Sequence, residues 1–250
     1  MKEIIIFVFV LSIFFIAYMF YNMTVFSETS IEEGPYIEYQ LEREFYPNET
    51  RITTIGVPAV DTEGNGVMAT LSVEVRSGIG RTLTDINQIL FWIDTQDSIR
   101  IAKAVAENIT GMDVSEYDIV YSVQTNASVI GGPSAGAAMG VATISALEDR
   151  PIKKTVSITG TLNNDGRIGH VSAISAKAKA AKDEGMDLFL VPFGQKSETT
   201  YREEKKCETY VFTTVCYTKT IPEKVDIEKE VGIEVEEVSN IQEALKYFLS

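Results

Sequence analysis

Residues 131–138 read GGPSAGAA and place a single hydroxyl, that of Ser134, between a glycine–proline turn and a run of small residues. Gly131 and Gly132 permit backbone angles that a Cβ would forbid. Pro133 suits the first position of a helix, because its φ is preset and its missing N–H would be unpaired there. The N-terminus of a helix concentrates unpaired N–H groups and positive dipole charge. The stretch therefore predicts a helix over 134–147 whose start favours negative charge on the serine oxygen or on a substrate oxygen beside it.

Two interpretations of Ser134 are open at this point. The first is structural, because serine is among the best N-cap residues and Ser134 would then simply cap a tightly packed helix. The second is chemical, but a serine hydroxyl is a weak nucleophile and needs a base. A Ser-His-Asp set would combine Ser134 with His170, the sole histidine, and with Asp165 or Asp183. A lone histidine is more often structural, so lysine has to be considered as well.

A second helix is predicted over residues 172–184, capped by Ser172. Its lysines fall on different faces of the helix. At about 100° per residue, Lys177 falls about 60° from Ile174, at the border of the apolar face, whereas Lys179 and Lys182 fall on the polar face. Burial disfavours an ammonium group and lowers its pKa. A lowered pKa is what a lysine general base near neutral pH requires. The alternative is a lysine whose stem only covers apolar surface while its amine reaches water.

Composition sets the class of the molecule. The 250 residues are 45% apolar, which suffices for a core of ordinary size. The net charge of −14 argues against a nucleic-acid partner and disfavours adhesion to anionic lipid. Residues 67–75 alternate apolar and polar positions, as a half-buried strand does. Strands and helices interleave along the chain, joined by both short turns and crossovers. The pattern predicts an α/β or α+β fold with a mixed sheet, and we expect the α+β class.

The N-terminal segment predicts a membrane location. Residues 4–21 form an apolar run interrupted only by Ser12, about the length that spans a bilayer. Lys2 precedes the run and the next basic residue is Arg43, so the positive-inside rule leaves the N-terminus in the cytosol. A cleaved signal peptide with a site near residues 25–27 is the rival interpretation. We expect a single-pass protein of the cell membrane with its globular part outside the cytoplasm.

The expected domains are a membrane anchor at 1–27, a polar acidic stalk at 28–50 and one globular domain at 51–250. Residues 196–224 look like an insertion in that domain and carry Cys207 and Cys216, which flank an alternating, β-branched stretch. Outside the cytoplasm these two cysteines are expected to form a disulfide across a hairpin rather than remain free thiols. A metal site is not expected, because the chain offers too few further ligands, and no cofactor is expected either.

Several motifs occur together in a recognisable order. These are GGPSAG at 131–136, ITG at 158–160, GRI at 166–168 running into Lys177, and FLVP at 189–192. From about Arg51 to the C-terminus the chain resembles the proteolytic domain of Lon proteases, and it is most similar to archaeal membrane-anchored Lon-like peptidases.

The resemblance implies a Ser-Lys dyad formed by Ser134 and Lys177, with Thr159 hydrogen-bonded near the lysine and orienting it. Gly132 and Pro133 support the serine, and backbone N–H groups of residues 131–134 are the expected oxyanion donors. The implied activity is endopeptidase cleavage of unfolded or flexible polypeptides. It is expected to be independent of ATP, because the sequence has no GxxxxGK[ST] phosphate loop. A homo-oligomeric ring is a further implication of the resemblance.

Two positions depart from the Lon pattern. Lon proteases have an acidic residue where Gly131 stands and a glutamate where Thr161 stands. These departures keep a second hypothesis open, a Lon-fold binding or scaffold module without turnover at the cell surface. A third hypothesis treats the cysteine hairpin and the acidic stalk as parts of a cell-surface interaction protein.

Overall fold

The computed structural model describes residues 18–19, 50–85, 93–125 and 132–249, without the side chain of residue 93. The chain divides into two compact units, Met1–Glu44 and Phe45–Ser250, and every element below belongs to the second. The stalk and the anchor predicted from the sequence fall almost wholly outside the described residues. Within the described residues, no helix is both long and apolar enough to cross a membrane.

The second unit combines four β-sheets with five helices in its described part. In chain order its elements are β1 (Arg51–Val60), β2 (Gly66–Ser77), β3 (Thr82–Thr84), α1 (Ile93–Thr110), β4 (Tyr117–Gln124), α2 (Gly136–Glu148), β5 (Val156–Ile158), β6 (Thr161–Leu162), β7 (Ile168–Gly169), α3 (Ile174–Asp183), β8 (Leu188–Pro192), β9 (Ser197–Tyr210), β10 (Thr213–Asp226), α4 (Ile227–Val231), β11 (Glu234–Val238) and α5 (Ile241–Phe248).

The largest sheet has the strand order β1-β2-β4-β3. β2 pairs antiparallel with β1 and with β4, whereas β3 runs parallel to β4. The alternation that predicted β2 is confirmed, because Ala69, Leu71, Val73 and Val75 are all buried while their neighbours are more exposed.

A second sheet, β11-β8-β5, is wholly parallel. Parallel neighbours need crossover connections, and here α3 and α4 lie in them. The remaining strands form two antiparallel pairs, β6 with β7 and β9 with β10. The mixed-sheet architecture predicted from the sequence is therefore confirmed.

Helix α2 is the centre of the main core, with residues 136–147 all buried. It packs against α1, β1 and β2. Its glycines allow this close packing: a Cβ on Gly136 would lie 2.8 Å from the backbone nitrogen of Leu162, and one on Gly140 would lie 2.8 Å from the Leu162 side chain. The small residues of this stretch thus bring the start of α2 against β6.

A buried carboxylate fixes the loop between β2 and β3. Asp118 on β4 is 0% exposed and accepts hydrogen bonds from the Ile79 and Arg81 backbone N–H groups at 3.1 and 3.0 Å, and from Arg81 Nε at 2.9 Å. Burial by itself would raise the pKa of Asp118, but these donors and the Arg81 charge outweigh it and hold the pKa below its usual value. Gly78 leaves room for the carboxylate, since a Cβ there would lie 2.3 Å from Asp118 Cγ.

Replacing Asp118 tests this arrangement. Asp118→Ala removes a charged acceptor and leaves several donors unpaired, so the free energy of unfolding should fall by about 2–4 kcal/mol. Urea denaturation at pH 7 measures the change. Asp165→Ala removes a carboxylate from an exposed pair with Arg167 and should change stability little; equal losses in the two variants would contradict the assignment.

Candidate active site

Ser134 lies in a 3-10 turn, Pro133–Ala135, that leads directly into α2. Gly132 precedes the turn with a φ of 105°, a conformation that side-chain-bearing residues rarely adopt. The helix α2 begins two residues later than predicted and has Ala135 at its N-cap, with no side-chain capping hydrogen bond. The capping interpretation of Ser134 is therefore wrong. Its side chain is half-buried, in the turn rather than before the first helical residue.

The turn is held by the segment that links β5 to β6. The Ser134 carbonyl accepts hydrogen bonds from the Gly160 N–H at 2.9 Å and from Thr159 Oγ1 at 3.4 Å. The Gly160 carbonyl in turn accepts from the Ala137 N–H at 3.0 Å. Thr159 is fully buried and its own N–H donates to the Leu190 carbonyl at 3.1 Å. Ser134 is thus hydrogen-bonded, through its backbone, to the parallel sheet.

The position of Thr159 bears on the role that the Lon resemblance implied for it. Its hydroxyl contacts the serine turn, whereas the resemblance placed it beside the lysine. Within the described residues no hydrogen bond joins Thr159 to Lys177. Orientation of the lysine by Thr159 stays a prediction.

Lys177 is 3% exposed on α3, and the burial expected from the helix pattern is confirmed. Ile174 and Ala178 are buried beside it, while Lys179 and Lys182 are exposed, as predicted. Burial lowers the pKa of Lys177 from 10.5 to about 8, and the nearby negative charge of Glu198 acts in the opposite direction. With this pKa about a tenth of the amine is unprotonated at pH 7, far more than for a lysine with its ordinary pKa.

Glu198 is a site residue that sequence reasoning missed. It lies on β9, in the segment interpreted only as an insertion, and its Oε2 accepts a hydrogen bond from the Ser175 N–H at 3.1 Å in the first turn of α3. Ser172 was predicted to cap this helix, and that prediction is wrong: Ala173 is the N-cap residue, with a left-handed φ of 58°. No sequence signal near Ser172 indicates that a carboxylate 23 residues beyond Ser175 accepts the hydrogen bond from this first helical turn.

The β1–β2 pair connects the two halves of the site. The turn that carries Ser134 contacts β1, and α3 packs on both β1 and β2. The approach of α3 is close, because a Cβ on Gly66 at the start of β2 would lie 2.0 Å from the Ala176 carbonyl oxygen. Among the described residues no hydrogen bond joins Ser134 Oγ to Lys177 Nζ. Catalytic hydrogen bonds in free enzymes are often loose and tighten when substrate binds.

The alternative Ser-His-Asp set is not assembled. His170 is exposed, and its Nε2 donates to the Phe193 carbonyl at 2.9 Å. Asp165 pairs with Arg167, with 2.6 Å between Oδ2 and Nε. Within the described part of the chain, no hydrogen bond links His170 to Asp165, Asp183 or Ser134.

The cysteine pair behaves as predicted. β9 and β10 form an antiparallel hairpin in which Cys207 pairs directly with Cys216, and the two sulfurs form a disulfide. Of the two departures from the Lon pattern, Thr161 is half-buried on β6, and Gly131 lies outside the described residues.

Comparison with known proteins agrees with the motifs. The family model of the Lon protease (S16) C-terminal proteolytic domain matches residues 93–206, a segment that contains Ser134, Lys177 and Glu198. The resemblance to Lon proteolytic domains is confirmed by this match, which supports a Lon-like serine protease.

Individual relatives are similar over part of the chain. An archaeal Lon protease of Methanothermobacter thermautotrophicus is 30% identical over 116 residues, which is 46% of this chain and 18% of the relative. One from Thermococcus kodakarensis is 25% identical over 154 residues, 61% of this chain and 24% of the relative. Lon protease 2 of Bacillus subtilis is 34% identical over 99 residues, 37% of this chain and 18% of the relative. The chain thus matches less than a quarter of the length of these relatives.

The burial of Lys177 has a measurable effect on stability. Each pKa unit corresponds to about 1.4 kcal/mol, so a pKa lowered from 10.5 to about 8 means that the protonated amine destabilises the fold by about 3 kcal/mol. Lys177→Met removes the charge and shortens the unbranched side chain by only one non-hydrogen atom. Its free energy of unfolding at pH 7 should exceed that of the parent by up to this amount, as measured by denaturant titration.

The pH dependence of the free energy of unfolding provides a second test of the buried amine. Between about pH 8 and 10.5 the unfolded parent binds a proton that the folded parent does not, so the stability of the parent rises with pH in this window. The advantage of Lys177→Met should therefore be full below pH 8 and shrink toward pH 10.5. Lys179→Met, at an exposed position of the same helix, is the matched control. A Lys177→Met protein no more stable than the parent at pH 7 would show that the amine reaches water.

Proposed function

We propose that this protein is a membrane-anchored, ATP-independent Lon-like serine endopeptidase that uses Ser134 as nucleophile and Lys177 as general base. The observation that carries the proposal is the burial of Lys177, which lowers its pKa toward neutrality on a helix within the Lon-like segment. Such a pKa suits a base that must be unprotonated at the start of the reaction and accept a proton during it.

The chemistry follows from these two groups. The free amine of Lys177 takes the proton of Ser134 Oγ as the oxygen attacks the scissile carbonyl. The resulting ammonium then donates that proton to the leaving amine, and an acyl-enzyme on Ser134 remains. Water, activated by the same amine, hydrolyses the ester and restores the serine. The half-buried Ser134 hydroxyl and the buried Lys177 amine would carry out this chemistry without a histidine.

Backbone donors at the serine turn complete the proposed site. Pro133 has no N–H, so the N–H groups of Gly132 and Ser134 are the donors proposed to stabilise the oxyanion. Loss of one such donor typically lowers the rate about a hundredfold or more. Gly132 has a positive φ, which sets the direction of the backbone at the serine turn. A residue with a Cβ would adopt this φ only with strain.

The remaining parts of the proposal rest on sequence. The apolar run at residues 4–21 supports a membrane anchor with the domain outside the cytoplasm. ATP independence rests on the missing phosphate-loop motif. The proposed substrates are flexible or already unfolded polypeptides, which need no ATP-driven unfolding before cleavage.

A serine-directed probe tests the nucleophile. The detergent-solubilised full chain should be labelled at Ser134 by a fluorophosphonate, as mapped by peptide mass spectrometry, and should cleave casein without nucleotide. Ser134→Ala should lose the label and lower the cleavage rate about a thousandfold or more. Ser172→Ala, at an exposed serine before α3, should match the parent. A parent that neither labels nor cleaves at any pH would instead favour the non-proteolytic scaffold.

The pH profile tests the base through its neighbour. Glu198 raises the pKa of Lys177, so Glu198→Gln should lower it further while keeping an oxygen that can accept from the Ser175 N–H. Activity that requires the free amine rises as pH increases through this pKa. The rising limb of kcat/KM against pH should therefore move to lower pH in Glu198→Gln.

A carboxylate nearby provides the control. Glu230 accepts from Ser175 Oγ at 3.1 Å but is not among the groups that shift the pKa of Lys177. Glu230→Gln should leave the rising limb in place. If both variants shift the limb equally, or neither shifts it, Lys177 is not the titrating base.

A further inference from the structure

The hairpin of β9 and β10 is an exposed ribbon, here called the arm (residues 197–226). None of its strand residues is buried and most are exposed, on both faces, so it contributes little to either core. Two-stranded ribbons are marginal by themselves in water. The root is fastened by the Glu198 contact with α3 and by a Lys196–Glu228 ion pair at 2.7 Å, and the Cys207–Cys216 disulfide ties the outer part.

The end of the arm has an unusual composition for a turn. The two residues that connect its strands are Val211 and Phe212, which are 89% and 96% exposed. Two-residue hairpin connections favour asparagine, aspartate and glycine. Burying a valine or phenylalanine side chain stabilises a fold, and neither side chain is buried here. Folding therefore does not account for these two side chains.

The apolar surface continues on one face of the ribbon. The pairing register places Tyr210, Val215 and Tyr217 on the same face next to the tip, and all three are exposed. Both tyrosine hydroxyls donate to Glu208, at 2.8 and 3.2 Å. Rings with one apolar end and one hydrogen-bonded end are typical of membrane–water interfaces.

The charge of this region is opposite to that of the whole chain. Residues 205–220 contain Lys205, Lys206 and Lys219 against Glu208, a net charge of 3 − 1 = +2, in a chain with a net charge of −14. Glu203 and Glu204, which lie opposite Thr220 and Lys219 in the pairing register, end this positive segment on its inner side. All three lysines are exposed. Lysines close to an anionic membrane surface are attracted to it.

We propose that the end of the arm, from Lys205 to Lys219, inserts into the headgroup region of a bilayer that contains anionic lipid. The apolar tip, the one-sided tyrosine face and the local positive charge each fit this surface, and residues 4–21 supply an independent reason to expect the chain at a membrane. The inference goes beyond the proposed peptidase activity and adds a second membrane contact to the proposed anchor.

Fluorescence quenching tests the contact. The full chain is reconstituted with vesicles of phosphatidylcholine and phosphatidylglycerol, with or without bromine on the acyl chains, and its native emission comes from one tryptophan, Trp92. Phe212→Trp should add emission that shifts to the blue and is quenched by the brominated lipid. Ile52→Trp, at a 60% exposed position of β1, should add emission that is not quenched.

Charge reversal tests the electrostatic part. Lys205→Glu with Lys206→Glu, introduced beside Phe212→Trp, should reduce the quenched fraction on anionic vesicles. Lys224→Glu, at an exposed lysine near the root of the arm, is the matched control and should not. Equal effects of the two changes would overturn the role of the outer lysines.

Vesicle flotation distinguishes membrane binding by the arm from membrane binding by the proposed N-terminal anchor. A chain that floats with vesicles while the Phe212→Trp emission is unquenched overturns the arm contact and leaves the anchor intact. A quenched Phe212→Trp signal in a chain that salt or carbonate washes off supports the arm and overturns the anchor. A blue shift that grows with protein concentration without lipid, or appears only with casein, assigns the tip to a second copy or to substrate and overturns the proposal.

Discussion

The site depends on one buried amine. Lys177 lies on a short helix, with the buried side chains of Ile174 and Ala178 beside it. The loss of water around its ammonium group has the largest influence on its pKa. The same burial destabilises the folded state whenever the amine is protonated. If Lys177 is the proposed base, this cost is the usual compromise between stability and activity.

The serine side of the site is held by a different force, backbone hydrogen bonding. The Thr159–Gly160 segment bonds to Ser134 and Ala137 and so ties the start of the central helix to the parallel sheet. The glycines of α2 make that approach possible, because a Cβ on Gly136 would collide with the Leu162 backbone. The turn is therefore placed by main-chain geometry, and the Ser134 hydroxyl is not used to cap a helix.

The two ends of the arm have different surroundings. Its root brings Glu198 to the first turn of α3, where the carboxylate accepts a backbone hydrogen bond and partly offsets the effect of burial on Lys177. Its far end presents exposed apolar residues on a locally basic ribbon. A segment that looked like an addition to the fold thus contributes charge to the site.

Much of this could be predicted from the sequence alone, because it depends on local periodicity and composition. The strands at the start of the domain, the burial of Lys177 on one helix face, the mixed sheet and the cysteine hairpin all follow from patterns within a few residues. Tertiary structure alone decided the hydrogen-bond partners of Thr159 and the 3-10 turn at Ser134. It also decided that Glu198, and not Ser172, accepts a backbone hydrogen bond in the first turn of α3. Each of these depends on a contact between segments distant in the chain, and no local propensity encodes which distant carboxylate or carbonyl will satisfy a given donor.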